Sequence, residues 1–263
     1  MNPILRSLRF ALPGAALMLS VATAQESAPS ARDLAARLSN SLQNGSTVVR
    51  LKMDINKPAG GGKTVLQLQM KSQRGKGATD VLYQVLWPKE RKGEGFLLRK
   101  SGNRAPSGSL FSPPNSMVSL TAAKMKDGIF GSDLSYDDLV ENFFDWGNQA
   151  ITGTETVDRV PCQILESKPG KADRSNYSKV RSWIDTKRMV TLRVEKYAES
   201  GKLAKRIDTT RVTKDDLGNA VAANFSLSRP GQDSVTEIEG SNIKHGITFA
   251  ASDFTPEVLR TVK

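Results

Sequence analysis

Apolar residues recur at every second position over most of the chain. Val49, Leu51, Met53 and Ile55 alternate with Arg50, Lys52, Asp54 and Asn56, and after the turn PAGGG the residues Leu66, Leu68 and Met70 alternate with Gln67, Gln69 and Lys71. A period of two with one apolar and one polar face predicts a strand hairpin. The same pattern predicts strands over 80–87, 95–100 and 117–121, then over 148–157, 159–167, 180–185, 190–198, 202–212, 220–228 and 234–243. About a dozen short strands in hairpin order predict a mainly β protein, a single antiparallel meander curled into a barrel or half-barrel. Within it Trp183 falls in a central strand beside Ser182 and Ile184, whereas Trp87 ends a strand before Pro88 and belongs at the rim.

Two stretches switch to helical spacing. Ser30 and Asp33 form a capping box ahead of Leu34, Leu38 and Leu42, and Asn44-Gly45 ends the pattern, which predicts an amphipathic helix over 30–44. The stretch FGSDLSYDDLVENFFDW is better signalled. Ser135 and Asp138 make a second capping box, Leu134 and Leu139 a hydrophobic staple, and Gly147 a stop, predicting a helix over 135–145 with Leu139, Val140, Phe143 and Phe144 on one apolar face. On the sequence alone this helix either completes a core or forms a lid over an apolar cavity. Both helices are expected on the concave side of the sheet. A last helical turn follows Phe254, with Thr255 as cap, Pro256 at the first position and a staple from Phe254 to Leu259.

The connections carry less. Gly60-Gly61-Gly62-Lys63-Thr64 has half of a phosphate-loop pattern, but position 57 is lysine where the motif needs glycine and a strand follows where it needs a helix, so it reads as a turn. Residues 101–114, rich in Pro, Gly and Ser with only Leu110 and Phe111 strand-like, read as a weakly structured rim for an opening.

The first residues change the compartment. Arg6 and Arg9, the apolar run FALPGAALMLSV and Ala22-Thr23-Ala24 form a cleavable secretory signal over 1–24, leaving 25–263 as one domain with a periplasmic address. Cleavage takes the formal charge from +11 to about +9. Such a surface suits anionic membranes and envelope polyanions, not nucleic acid, in that compartment. The single cysteine, Cys162, excludes an intramolecular disulfide and sits as a small apolar residue in the strand-like VPCQIL. With His245 the only histidine, the usual zinc sites are excluded, and no acidic spacing resembles a calcium loop. No nucleophile motif accompanies His245, and Glu, Asp and Ser are spread over solvent-facing strand positions with no recognisable spacing, so a catalytic site is not expected and no cofactor is implied.

Five segments, VLWPKERKGEGFLL, FGSDLSYDDL, TGTETVDRVPCQILESKP, YSKVRSWID and VEKYAESGKL, resemble in this order the successive motifs of outer-membrane lipoprotein-sorting proteins of the LolA-like superfamily. The resemblance implies a half-open antiparallel barrel with an apolar concave side under helices, and a chaperone-like carrier of an acylated lipoprotein or lipid. It also implies dealings with an inner-membrane exporter.

Taken together, the expected function is a monomeric periplasmic carrier or binding protein for an acylated ligand. Met53, Leu66, Leu68, Met70, Leu139, Val140, Phe143 and Phe144 are the lipid-binding candidates. An uncharged apolar pocket is expected, with acyl binding little affected by salt. The other readings are a non-catalytic envelope docking module, which a dry packed barrel would favour, and an enzyme acting on lipid, which would need a polar constellation inside the cavity.

Overall fold

A computed structural model describes residues 30–43, 45–75, 77–102 and 104–261. The predicted signal peptide lies outside the described residues. The alternating segments form thirteen strands: β1 (Gly45–Lys57), β2 (Gly62–Gly75), β3 (Ala78–Trp87), β4 (Gly95–Ser101), β5 (Ser107–Ser112), β6 (Ser116–Ser119), β7 (Asn148–Val157), β8 (Val160–Lys168), β9 (Lys179–Asp185), β10 (Val190–Tyr197), β11 (Leu203–Lys214), β12 (Ala220–Ser228) and β13 (Val235–His245). All belong to one antiparallel sheet in the order β6-β5-β4-β3-β2-β1-β13-β12-β11-β10-β9-β8-β7. Every chain connection joins neighbouring strands except that from β6 to β7, which links the two edges; β13 pairs with β1, and with β6 and β7 left as edges the sheet is not closed. The glycine-rich half-motif is the β1–β2 turn. Part of the expected rim, residues 107–112, is instead the strand β5, because Leu110 and Phe111 pair with Phe96 and Gly95 of β4.

The sheet is curled, and a short helix proves it. In α2 (Tyr136–Val140) the ring of Tyr136 meets Phe96 of β4 at 4.9 Å, while Asp138 accepts a 2.8 Å bond from Lys196 of β10. In a flat sheet seven strand spacings, roughly 34 Å, would separate β4 from β10. A five-residue helix is about 7.5 Å long. Only a folded-over sheet brings both strands to it.

Its covered face holds the main core. Cross-strand partners Met53 and Leu66, Met53 and Ile238, and Tyr83 and Phe96 point the same way and pack with Ile129, Tyr136 and Val140. Further along the same face Leu165 and Ile184 bury Leu34, Ala35 and Leu38 of α1 (Ala31–Gln43), whose start is braced by the Asp33 N–H on Ser30 Oγ at 3.2 Å. The opposite face of β3–β5 is closed by two 3-10 turns, Ala251–Phe254 and Pro256–Arg260, which bury Phe254 and Leu259 against Leu82, Leu97 and Phe111. Thr255 precedes Pro256 as expected, but its side chain makes no capping bond.

Trp183 is 5 % exposed, packed with Val157, Cys162 and Leu192 and donating to Glu155 at 2.9 Å, whereas Trp87 is 49 % exposed. The core and rim positions expected of the two tryptophans are those observed, and Cys162 is buried.

Among the described residues no helix is long and apolar enough to cross a membrane.

Candidate functional site

The segment predicted as one helix over 135–145 is two pieces. Its N-terminus is as expected: Ser135 Oγ accepts the Asp138 N–H, and Asp138 accepts the Ser135 N–H at 2.9 Å. Helical geometry stops at Val140, however, and resumes only as the 3-10 turn Phe143–Asp145. Two side chains explain the break. Glu141 is drawn to Lys196 (3.3 Å) and Ser175 Oγ (2.5 Å), and Asn142 caps the second piece, accepting the Phe144 N–H while donating to Ser39 (2.9 Å) and Asp145 (2.8 Å). Asparagine offers the backbone such local alternatives to helix. Gly147 therefore ends no helix; its N–H faces Asp173 at 3.4 Å.

The break divides the predicted apolar face. Leu139 and Val140 pack with Met53, Leu66, Leu68 and Met70, whereas Phe143 and Phe144 dock on the α1 cluster with Leu34 and Leu38. Met53, Leu66 and Leu68 are 0 % exposed, so this part of the candidate set lies inside a closed core.

Sequence reasoning missed what fastens the first piece. The Asp138 side chain is 1 % exposed and that of Lys196 2 %. One Asp138 oxygen accepts from Lys196 (2.8 Å) and Tyr177 Oη (3.0 Å), the other from Ser135 and from Lys205, and Glu141 is the second carboxylate on Lys196. Burial alone would raise the Asp138 carboxyl, but Lys196 and Lys205 hold it far below the usual carboxylate range. Lys196 behaves conversely: burial would lower it, and Asp138 and Glu141 hold it above its ordinary value. For Lys205 burial outweighs Asp138 and lowers it. Asp133 is also buried, its oxygens accepting from Ser234 (2.6 Å) and Thr236 (2.8 Å). Asp138 thus has, besides the capping role expected of it, a place in a buried ion cluster. A signal existed: Lys196 and Lys205 are cross-strand partners whose spacing from Val194 and Ile207 puts both on the apolar face, and two facing lysines need a carboxylate between them.

Beside the break a cavity of about 480 Å³ opens. Its walls come from the β2–β3 turn, from Lys100, Gly102 and Arg104–Pro106 between β4 and β5, from the break at Val140–Asn142 and from the loop at 172–176, so one part of the expected rim, Gly102 and Arg104–Pro106, does border an opening. Val140 and Met125 belong both to this wall and to the closed core. Of the lipid-binding candidates only Val140 lines it. The cavity is not the uncharged pocket expected. Arg74, half-buried, donates to the Leu139 carbonyl at 2.8 Å, and burial pulls its guanidinium below the ordinary value. Asp137, on the same wall, is pushed up, first by burial and then by Glu141 and Asp138.

Elsewhere, ligand atoms of Asp215, Asp216 and His245 lie within 4.8 Å of one another. Asp215 accepts the N–H groups of Leu217 and Asn219, and Asp216 that of His245, so the two acids brace the β11–β12 turn and the end of β13.

A protein-family model described as "-like: Uncharacterized protein" matches residues 77–261, well over half the chain. The chain belongs to that family. Its solved neighbours show the fold. A DUF1329 family protein from Desulfovibrio piger superposes with a TM-score of 0.80 at 23% identity, over 87% of this chain and 97% of that one. A domain provisionally described as an outer membrane lipoprotein-sorting protein, from Vibrio parahaemolyticus, gives 0.76 at 18% identity over 88% and 98%. A LolA superfamily protein from Nitrosomonas europaea gives 0.66 at 18% over 88% and 100%. The fold is LolA-like, as the motif order implied. No curated protein matches the chain.

Proposed function

We propose that the protein is a carrier or binding protein for an acylated ligand, a lipid or a lipoprotein, in outer-membrane sorting. In this reading residues 1–24 are a cleaved signal, residues 25–263 are one periplasmic domain, and the protein works as a monomer without catalysis or cofactor. An inner-membrane exporter and an anionic membrane surface are its proposed docking partners, the latter through its excess of basic residues. The half-open barrel is the container and the segment 135–145 its lid.

The observation that carries the reading is the shared wall of Val140 and Met125, which separates a cavity of about 480 Å³ from the apolar face beneath the lid. That volume lies within the roughly 300–1,000 Å³ of small-molecule sites. An acyl chain entering there and displacing these two side chains would meet Met70, Leu68, Leu66 and Met53, gaining about 0.8 kcal/mol for each methylene removed from water. Leu139 and Val140 would line the lid side, while Phe143 and Phe144 anchor the lid's far half on α1. Methionine thioethers adapt well to a flexible chain.

One observation favours the docking-module reading instead: the complete burial of Met53, Leu66 and Leu68 in the closed core. Titration with a fluorescent fatty-acyl probe decides between them. The carrier reading expects saturable emission enhancement that is competed by unlabelled acyl chains; the docking reading expects none.

A further inference from the structure

We propose that the cavity beside the lid break is a headgroup site for an anionic amphiphile, with Arg74 as its principal contact; this rests on the carrier reading and names the class of ligand. The argument is one of unequal partnering. Four acids border the cavity, and each already accepts a hydrogen bond, Glu141 in an ion pair as well. Glu141 holds Lys196 and Ser175, Asp137 accepts from Asn176 at 2.6 Å, Asp145 accepts from Asn142 at 2.8 Å, and Asp173 takes the Gly170 N–H at 2.7 Å. The cations are in the opposite state. Among the described residues Arg74, Lys100, Arg104, Lys126 and Arg174 line the cavity, and the one side-chain hydrogen bond among them is that of Arg74 to the Leu139 carbonyl.

Arg74 is the most telling of these. It is half-buried at the end of β2, and its one bond is to the Leu139 carbonyl at 2.8 Å. A guanidinium carries five donors in a planar fork suited to carboxylate or phosphate oxygens, and a partly desolvated cation without a counter-ion is costly. The floor beside it is apolar, made by Val140 and Met125, with Ala105 and Pro106 on the far wall. A cationic mouth over an apolar floor fits a molecule with an anionic oxygen headgroup and an acyl chain. A neutral glyceride would leave the fork unanswered, and a cationic lipid would be repelled.

The test is competition for the acyl-probe site on the full chain by ligands of matched sixteen-carbon chain length: palmitate, 1-palmitoyl lysophosphatidic acid, monopalmitoyl glycerol and hexadecyltrimethylammonium. The two anionic ligands should outcompete the neutral one by roughly tenfold or more, as expected of hydrogen bonds to charged groups. The better of the two identifies carboxylate or phosphate as the headgroup. Arg74→Gln should abolish the anionic preference and leave the affinity for monopalmitoyl glycerol unchanged, while Arg74→Lys should retain part of it. Should Arg74→Gln fold poorly, the exposed-side variant Lys100→Glu/Arg104→Glu gives the second reading and should shrink the anionic preference severalfold. Equal binding of neutral and anionic ligands by the wild type, or full anionic preference in Arg74→Gln, would overturn the headgroup site while leaving the carrier reading in place. Binding of none of the four would overturn both.

Discussion

Asp138→Asn is expected to destabilise the protein by about 3–5 kcal/mol, the usual cost of removing one partner from a buried ion cluster and leaving the other charges uncompensated. The asparagine keeps the side chain's shape but leaves Lys196 and Lys205 facing each other across β10 and β11 with only Glu141 nearby. For a chain of this size the melting temperature should fall by on the order of 10 °C. The pH profile supplies the sign. The folded-state carboxyl of Asp138 lies below its unfolded value, so its contribution is fully present above an unfolded pKa of about 3.9 and is lost as the pH falls below it. Glu166 adds to this: burial would raise it, but Arg181 and Lys168 lower it to about 2. Wild-type stability should therefore decline from about pH 5 downward, and Asp138→Asn should show a shallower decline, because only Glu166 and its like remain. Chemical denaturation across that range checks both claims. Placing leucine at position 138 and methionine at 196 and 205, with glutamine at 141 so that no buried carboxylate is left without a cation, should recover part of the loss, since well-packed apolar residues replace buried ion clusters at little cost. A loss near zero with an unchanged acid limb would mean the cluster does not fasten the segment.

Phe144→Ala is expected to cost about 3–5 kcal/mol, the range for truncating a buried aromatic. This is larger than a lid resting on open space would give. The reason is the break at Glu141–Asn142: it turns Phe144 away from the cavity wall and onto Leu34, Leu38, Leu165 and Ile184. Acyl-probe affinity of the folded variant should stay close to the wild type. Val140→Thr, nearly isosteric but placing a hydroxyl in the cavity wall, should reverse the balance, with a stability loss of about 1–3 kcal/mol and clearly weaker probe binding. Denaturant unfolding and probe titration on the same two variants read the contrast. Equal loss of binding in both would return Phe144 to the ligand site.

The sheet was legible in the sequence because a one-residue slip would turn Met53, Leu66 and Leu68 to solvent, so alternation encodes strand and face together. The caps at Ser30 and Ser135 were legible for a similarly local reason: donor and acceptor lie three residues apart. The division of the lid was not, since Leu139, Val140, Phe143 and Phe144 keep helical spacing whether or not the helix continues. What stops it is tertiary: Glu141 reaches Lys196, and Asn142 reaches Ser39, 103 residues away. Arg74 was likewise illegible. It follows the apolar alternation of β2 as an ordinary strand-end cation, and only the folded sheet brings it under Leu139. The candidate site was thus readable as an apolar face but not as a charged mouth, because the mouth is assembled from four separate turns and loops.

The central claim, that this fold carries an acylated molecule, is tested most directly by what the protein holds in its native envelope. Purification without detergent, organic extraction and mass spectrometry should recover an acylated species in near-stoichiometric amount. It should be depleted from Val140→Thr and retained by Phe144→Ala. Recovery of no acylated species beyond that found with an unrelated periplasmic protein purified alongside would contradict the claim.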